Sequence, residues 1–180
     1  YVWNKAQFDA IDPRATHHLL GLFERSHMRY EADRKDDVAG EPSLAEMTEK
    51  AIKVLQQNNK GFYLMVEAGR IDHAHHAGNA YRALTDTIAL SEAVEVAKKL
   101  TDDRDTLIVV TADHSHVFTI AGYPDRGNDI LGKVVTGGEL ARDRDGKPYT
   151  TLGYANGPGY TGASSSQAAG PKKYPHLGKG

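Results

Sequence analysis

Two short apolar runs on either side of a helical stretch constrain this chain more than any other feature. Phe62-Tyr63-Leu64-Met65-Val66 is continuous and apolar, and Thr106-Leu107-Ile108-Val109-Val110 is rich in β-branched residues. Runs of this length, bounded by polar residues, suit strands buried on both faces. Between them Ala80, Leu84, Thr87, Ile88, Leu90, Val94 and Ala97 recur at helical spacing and predict a helix over residues 79–100. Strand, helix and strand in that order make a βαβ unit with parallel strands and a right-handed crossover. The expected fold class is therefore α/β, with part of a mainly parallel sheet flanked by helices.

Ser43 opens an earlier helix. Ser43 and Glu46 have capping-box spacing, in which hydroxyl and carboxylate satisfy free backbone N–H groups. Leu44, Met47, Ala51, Ile52 and Leu55 share one face, and Asn58, Asn59 and Gly61 end the helix. His18 to Phe23 reads as a further short buried strand, and Glu24 to Gly40 as a solvated loop. From about Gly122 the helical periodicity is lost to Gly, Pro, Tyr and charged residues. Val134-Val135 and Tyr149 to Tyr154 predict short strands, and residues 162–173 form a flexible low-complexity stretch. The expected organisation is a core over residues 1–121 and a loop-rich appendage over residues 122–180.

A net charge of −2 with no basic stripe gives no footprint for nucleic acid or for an anionic membrane surface. No apolar run has the length of a membrane span. With no cysteine in its 180 residues, the chain has neither a disulfide framework nor a thiolate metal site. Its start at Tyr1-Val2-Trp3-Asn4 and its end at Leu177-Gly178-Lys179-Gly180 read as those of a segment of a longer protein.

The chemistry gathers where the apolar runs end. Glu67 directly follows the first run and opens Glu67-Ala68-Gly69-Arg70-Ile71-Asp72-His73-Ala74-His75-His76. Asp113 and His114 follow the second run, with His116 close behind. Sites in open α/β sheets form beyond the carboxyl ends of the strands, so parallel strands would bring these clusters to one edge. Asp72 and His76 are one helical turn apart and can share an ion. Mixed carboxylate and imidazole donors suit Zn²⁺, and an all-oxygen position suits Mg²⁺. Two zinc ions about 4 Å apart can clamp the attacking and leaving oxygens of a phosphoryl group. His73 and His116 can orient ligands or touch substrate. A His-rich run also binds metal weakly without any built site.

These segments carry a resemblance. Residues 66–76 together with Thr111-Ala112-Asp113-His114-Ser115-His116-Val117-Phe118 resemble alkaline phosphatases, the animal type in particular. Residues 1–4 (YVWN), 21–24 (GLFE), 46–52 (EMTEKAI), 80–84 (AYRAL), 121–127 (AGYPDRG) and 155–160 (ANGPGY) are similar to that family in the same order. The resemblance covers nearly the whole chain. It implies Asp72 and His76 as ligands of a first zinc, Asp113 and His114 as ligands of a second, and Glu67 as a magnesium ligand. It implies that His73 reaches the phosphate and that His116 hydrogen-bonds Asp72. It implies a calcium site from the Phe23 carbonyl, Glu24 and Glu41, where the family commonly has Asp in place of Glu41. Arg70 and His75 receive no ligand role. Residues 122–180 match the start of the family's crown region.

The implied activity is hydrolysis of phosphate monoesters through a phosphoserine intermediate. The implied nucleophilic serine, phosphate-binding arginine and remaining ligands have no matching position here, and Ser164-Ser165-Ser166 stands in the wrong context. The segment alone is therefore expected to be inactive and to fold poorly. The resemblance further implies a homodimer, and a secreted or lipid-anchored location on the outer face of the plasma membrane. Two other readings fit the residues: a related phosphodiesterase or sulfatase-like hydrolase, and a truncated segment that only binds metal or protein.

Overall fold

The computed structural model describes residues 1–155. The low-complexity stretch at 162–173, the Ser164-Ser165-Ser166 run and all but the first residue of the 155–160 motif lie outside them. The described residues divide into two compact units, one of residues 1–71 and 84–111, the other of residues 72–83 and 112–155.

In the first unit, α1 (Lys5–Asp9) starts at Asn4, whose side chain accepts from the Gln7 N–H at 2.8 Å. Phe8 is buried edge-on against Phe23, with ring centroids 5.9 Å apart. Lys50 caps the same region, its Nζ donating to the carbonyls of Phe8 and Ile11 at 2.9 Å each. Lys50 belongs to α2 (Leu44–Leu55), which begins with the capping box expected from Ser43 and Glu46. The Ser43 N–H donates to Glu46 Oε2 at 2.7 Å, and the Glu46 N–H donates to Ser43 Oγ at 3.2 Å. Caps of this kind stabilise a helix by about 1 kcal/mol. Ile52 is the fully buried member of the predicted apolar face.

The segment read as a solvated loop holds a 3₁₀ turn at Glu31–Asp36 with Asp33 buried. It is tied down rather than free. The Glu31 N–H donates to Asp86 Oδ2 at 3.2 Å, and the Arg70 guanidinium lies 3.7 Å from the centroid of the Tyr30 ring. Asp86 sits on α4 (Ala80–Leu100), the helix predicted from periodicity. Its buried side differs from the predicted stripe. Ala83, Asp86, Ala89 and Ala93 are buried, while Ile88 is 58% exposed. Small side chains let this face approach its neighbours closely, which a pattern based on large apolar residues does not register.

The expected buried parallel strands are not formed among the described residues. Residues 62–66 and 106–110 join no ladder. Tyr63 and Leu107 are each 87% exposed. A strand buried on both faces needs a hydrogen-bonding neighbour and cover on each side, and these segments have neither here. His18 to Phe23 is not a strand either. It makes a single parallel bridge, Val2 with Gly21, in which the Val2 N–H donates to the Leu20 carbonyl at 2.9 Å.

The second unit holds the sheets of the described residues. α3 (Arg70–His76) contributes residues 72–76 to it and ends in a tight reversal. The Gly78 N–H donates to the His75 carbonyl at 2.9 Å, and the Asn79 N–H to the Ala74 carbonyl at 2.8 Å. This is a Schellman closure, and it places Gly78 at φ 61°, where a side chain is disfavoured. Asn79 then caps α4, its Oδ1 accepting from the Arg82 N–H at 3.2 Å. β1 (Phe118–Ile120) pairs antiparallel with β4 (Leu152–Tyr154), matching Phe118 to Tyr154 and Ile120 to Leu152. β2 (Val135–Thr136) and β3 (Glu139–Leu140) form a hairpin through Gly137 and Gly138. The Asp125 carboxylate accepts from both glycine N–H groups, and these bonds hold it below the usual carboxylate range. Val134, Thr151 and Leu152 form the buried centre of this unit.

Candidate metal centre

α3 brings its acidic and imidazole side chains to one face because they are spaced by a helical turn. His76 Nε2 lies 3.4 Å from Asp72 Oδ2. The segment leading into β1 meets the same carboxylate. His114 Nε2 and His116 Nε2 stand 3.7 and 3.8 Å from Asp72 Oδ1. Ligand atoms of Asp72, His76 and His116 all lie within 4.8 Å of one another. Asp72 Oδ1 is buried and has no hydrogen bond. A buried carboxylate oxygen left in this state costs roughly 1–3 kcal/mol, and imidazoles held around it at this range suit a shared cation.

The other residues named from the sequence take different positions. Asp113 is exposed and close to His114, with Oδ2 3.5 Å from its Nε2. A hydrogen bond with the Ser115 carbonyl, then the Asp113 and Asp72 charges, raise the His114 imidazole above its ordinary value. His73 is half-buried on α3 and belongs to neither carboxylate cluster among the described residues. Glu67 belongs to the first unit and is exposed there. His75, which received no role, is half-buried among rings, and burial lowers its imidazole.

A second cluster lies wholly within the first unit. Glu24, Asp37 and Glu41 bring carboxylate oxygens within 4.8 Å of one another. Glu41 is only 2% exposed. Its Oε1 accepts from the Arg29 N–H at 2.6 Å, while its Oε2 is buried without a hydrogen bond, as is Asp37 Oδ2. Burial raises the Glu41 carboxyl, and the neighbouring Asp37 and Glu24 charges raise it further. The Arg29 guanidinium offsets part of that repulsion through Glu24, at 3.2 Å. Glu24 and Asp37 also line a cleft of about 460 Å³ with Tyr1, Trp3 and Phe23. Three hard oxygen donors of this kind suit calcium.

The profile of a protein family described as alkaline phosphatase matches residues 1–175. The chain belongs to the alkaline phosphatase family. It is 49% identical over 160 residues to the tissue-nonspecific alkaline phosphatase of Rattus norvegicus, which covers 89% of this chain and 29% of the rat protein. Over the same length it is 50% identical to the tissue-nonspecific isozyme of Gallus gallus, covering 30% of that protein. It is 46% identical to the alkaline phosphatase of Gadus morhua, covering 32% of that protein. The chain thus spans less than a third of the length of these alkaline phosphatases.

Asp37 is the member of the Glu24 and Glu41 carboxylate cluster that the sequence did not single out. It lies in a charged stretch, Asp33-Arg34-Lys35-Asp36-Asp37, where no spacing separates a ligand from a solvated carboxylate.

Proposed function

We propose that the protein containing this chain hydrolyses phosphate monoesters at a zinc and magnesium centre, through a phosphoserine whose serine is not among residues 1–155. The observation that carries this reading is the grouping of His76, His114 and His116 around the unbonded Oδ1 and neighbouring Oδ2 of Asp72, in a chain of the alkaline phosphatase family. Asp72 and His76 hold one zinc, Asp113 and His114 a second, and Glu67 magnesium. Bound zinc supplies Lewis-acid polarisation of a phosphoryl oxygen. The chain's own part is to hold and orient. α3 fixes two donors one turn apart, its Schellman closure fixes where the helix stops, and His116 braces Asp72. His73 contacts the phosphate.

Glu24, Asp37 and Glu41, with the Phe23 carbonyl, form a calcium site that braces residues 24–41. The buried oxygens of Asp37 and Glu41 support it. Residues 1–121 form part of the catalytic core, and residues 122–180 begin a crown-like region. In the whole protein, residues 62–66 and 106–110 join a mainly parallel sheet, which their exposed apolar side chains support. The protein works as a homodimer outside the cell, secreted or held by a lipid anchor. Among the described residues no helix is long and apolar enough to cross a membrane.

The test is made on the whole product of the gene. Turnover of a phosphate monoester should far exceed that of a diester and should vanish when zinc is chelated. Asp72→Ala should lower both zinc content and turnover, the latter by at least about 100-fold, since it removes a donor outright. Zinc-independent turnover, or a preference for diesters, would overturn the reading.

A further inference from the structure

His75 directly precedes His76 in α3 yet has a different set of neighbours. Its Nδ1 is 2.9 Å from the Tyr154 Oη. Its ring stacks on His116 at a centroid distance of 5.2 Å and an interplanar angle of 27°. Phe118 and Tyr154 flank it, at 4.9 and 5.7 Å. Those two residues face each other across the β1–β4 ladder, with rings 5.4 Å apart. The ladder also reaches the ligand segment, because the Ala155 N–H donates to the Val117 carbonyl at 2.8 Å. His116 in turn meets His76 edge-on at 4.8 Å.

We propose that Tyr154, acting through His75, is a positioning residue for the metal centre. The inference rests on the zinc reading of the Asp72 cluster. The donors come from two separate pieces of chain, α3 and residues 113–116, and a ring stack joins them. One hydrogen bond, from the first strand partner of the ligand segment, fixes the plane of the central ring. In either direction of that bond His75 cannot turn about its Cβ–Cγ axis without losing it. His116 is thereby held against a fixed face, and its Nε2 stays aimed at Asp72. The phenol thus does for the histidine pair what outer-sphere partners do for metal-bound imidazoles generally, fixing tautomer and ring orientation.

The test uses zinc-loaded protein expressed as its gene encodes it. Tyr154→Phe keeps the ring and removes only the hydroxyl. Zinc affinity, read by competition with a chromogenic chelator, should fall about tenfold, the range seen for outer-sphere partners of metal ligands. The melting temperature of the metal-free protein should stay at the wild-type value, because the ring packing is kept. His75→Asn, which retains a hydrogen-bonding group near the Nδ1 position, should keep more zinc affinity than His75→Leu. Wild-type zinc affinity in Tyr154→Phe overturns the proposal, as does equal affinity in the two His75 variants. A wild-type protein that retains no zinc overturns the reading of the cluster itself, which separates that failure from this one.

Discussion

Single carboxylates carry much of the chemistry of this chain, and their environments push them in different directions. Asp86 is buried on α4, and burial raises its carboxyl from 3.8 to about 6, with the Arg70 charge opposing. The folded chain therefore keeps the Asp86 proton to higher pH than the unfolded chain does. Its stabilising contribution is complete below 3.8 and is lost as pH rises to about 6. Wild-type stability to urea should fall by ~3 kcal/mol across that window from this group alone, since each pKa unit is worth about 1.4 kcal/mol. Asp86→Asn should remove that slope and still accept the Glu31 N–H. An unchanged slope would show that Arg70 compensates the charge. Asp37 and Glu41 present the opposite need, each with a buried oxygen that accepts no hydrogen bond. Calcium at about 100 times its dissociation constant should stabilise the folded protein by about 2.7 kcal/mol. Asp37→Asn should remove most of that gain, as read from the calcium-dependent shift in melting temperature. An undiminished shift would remove Asp37 from the site.

Elements differ in how openly the sequence announces them. α2 was legible to its first residue, because Ser43 and Glu46 state the cap in two side chains. α4 was legible in extent and misread in orientation. Its buried side is made by alanines and Asp86, which carry little weight in a pattern of large apolar residues. The β1–β4 ladder was half legible, since Tyr149 to Tyr154 was expected to be extended while Phe118–Ile120 follows the ligand segment with no pattern of its own. The grouping of Asp72 with His76 was written in their spacing, and that with His116 was expected from two parallel strand ends and from family resemblance, although those strands are not formed among the described residues. Asp37 needed the fold. Gly78 supplies a prediction at this scale. Its φ of 61° closes α3 just after His76. Gly78→Ala should destabilise the protein by about 1 kcal/mol, the cost of a side chain in the left-handed region. It should also raise the zinc concentration needed for half-saturation. Denaturation and zinc titration on the same variant check both.

At the scale of the molecule, the described residues leave much apolar surface uncovered. Tyr63, Met65, Leu107 and Val109 are each more than 70% exposed. Contiguous apolar stretches of this sort mark surfaces that other polypeptide covers. The 180-residue chain prepared alone should therefore self-associate at micromolar concentration and bind a hydrophobic dye. Sedimentation at several concentrations decides it, and a monomer throughout would mean that these segments fold onto the chain itself.

The two cation clusters also differ in how much chain must exist before each can close. Glu24, Asp37 and Glu41 are all present once residue 41 has been synthesised, and the loop joining them is short. The histidine cluster waits for His116, and its aromatic support waits for Tyr154. Loop closure costs more as the loop lengthens, and a chain made from its N-terminus folds in the order in which its parts emerge. The three carboxylates of the first cluster can therefore approach one another before the histidine cluster has all its members. On the calcium and zinc reading proposed above, calcium shortage would act on the earlier cluster and zinc shortage on the later one.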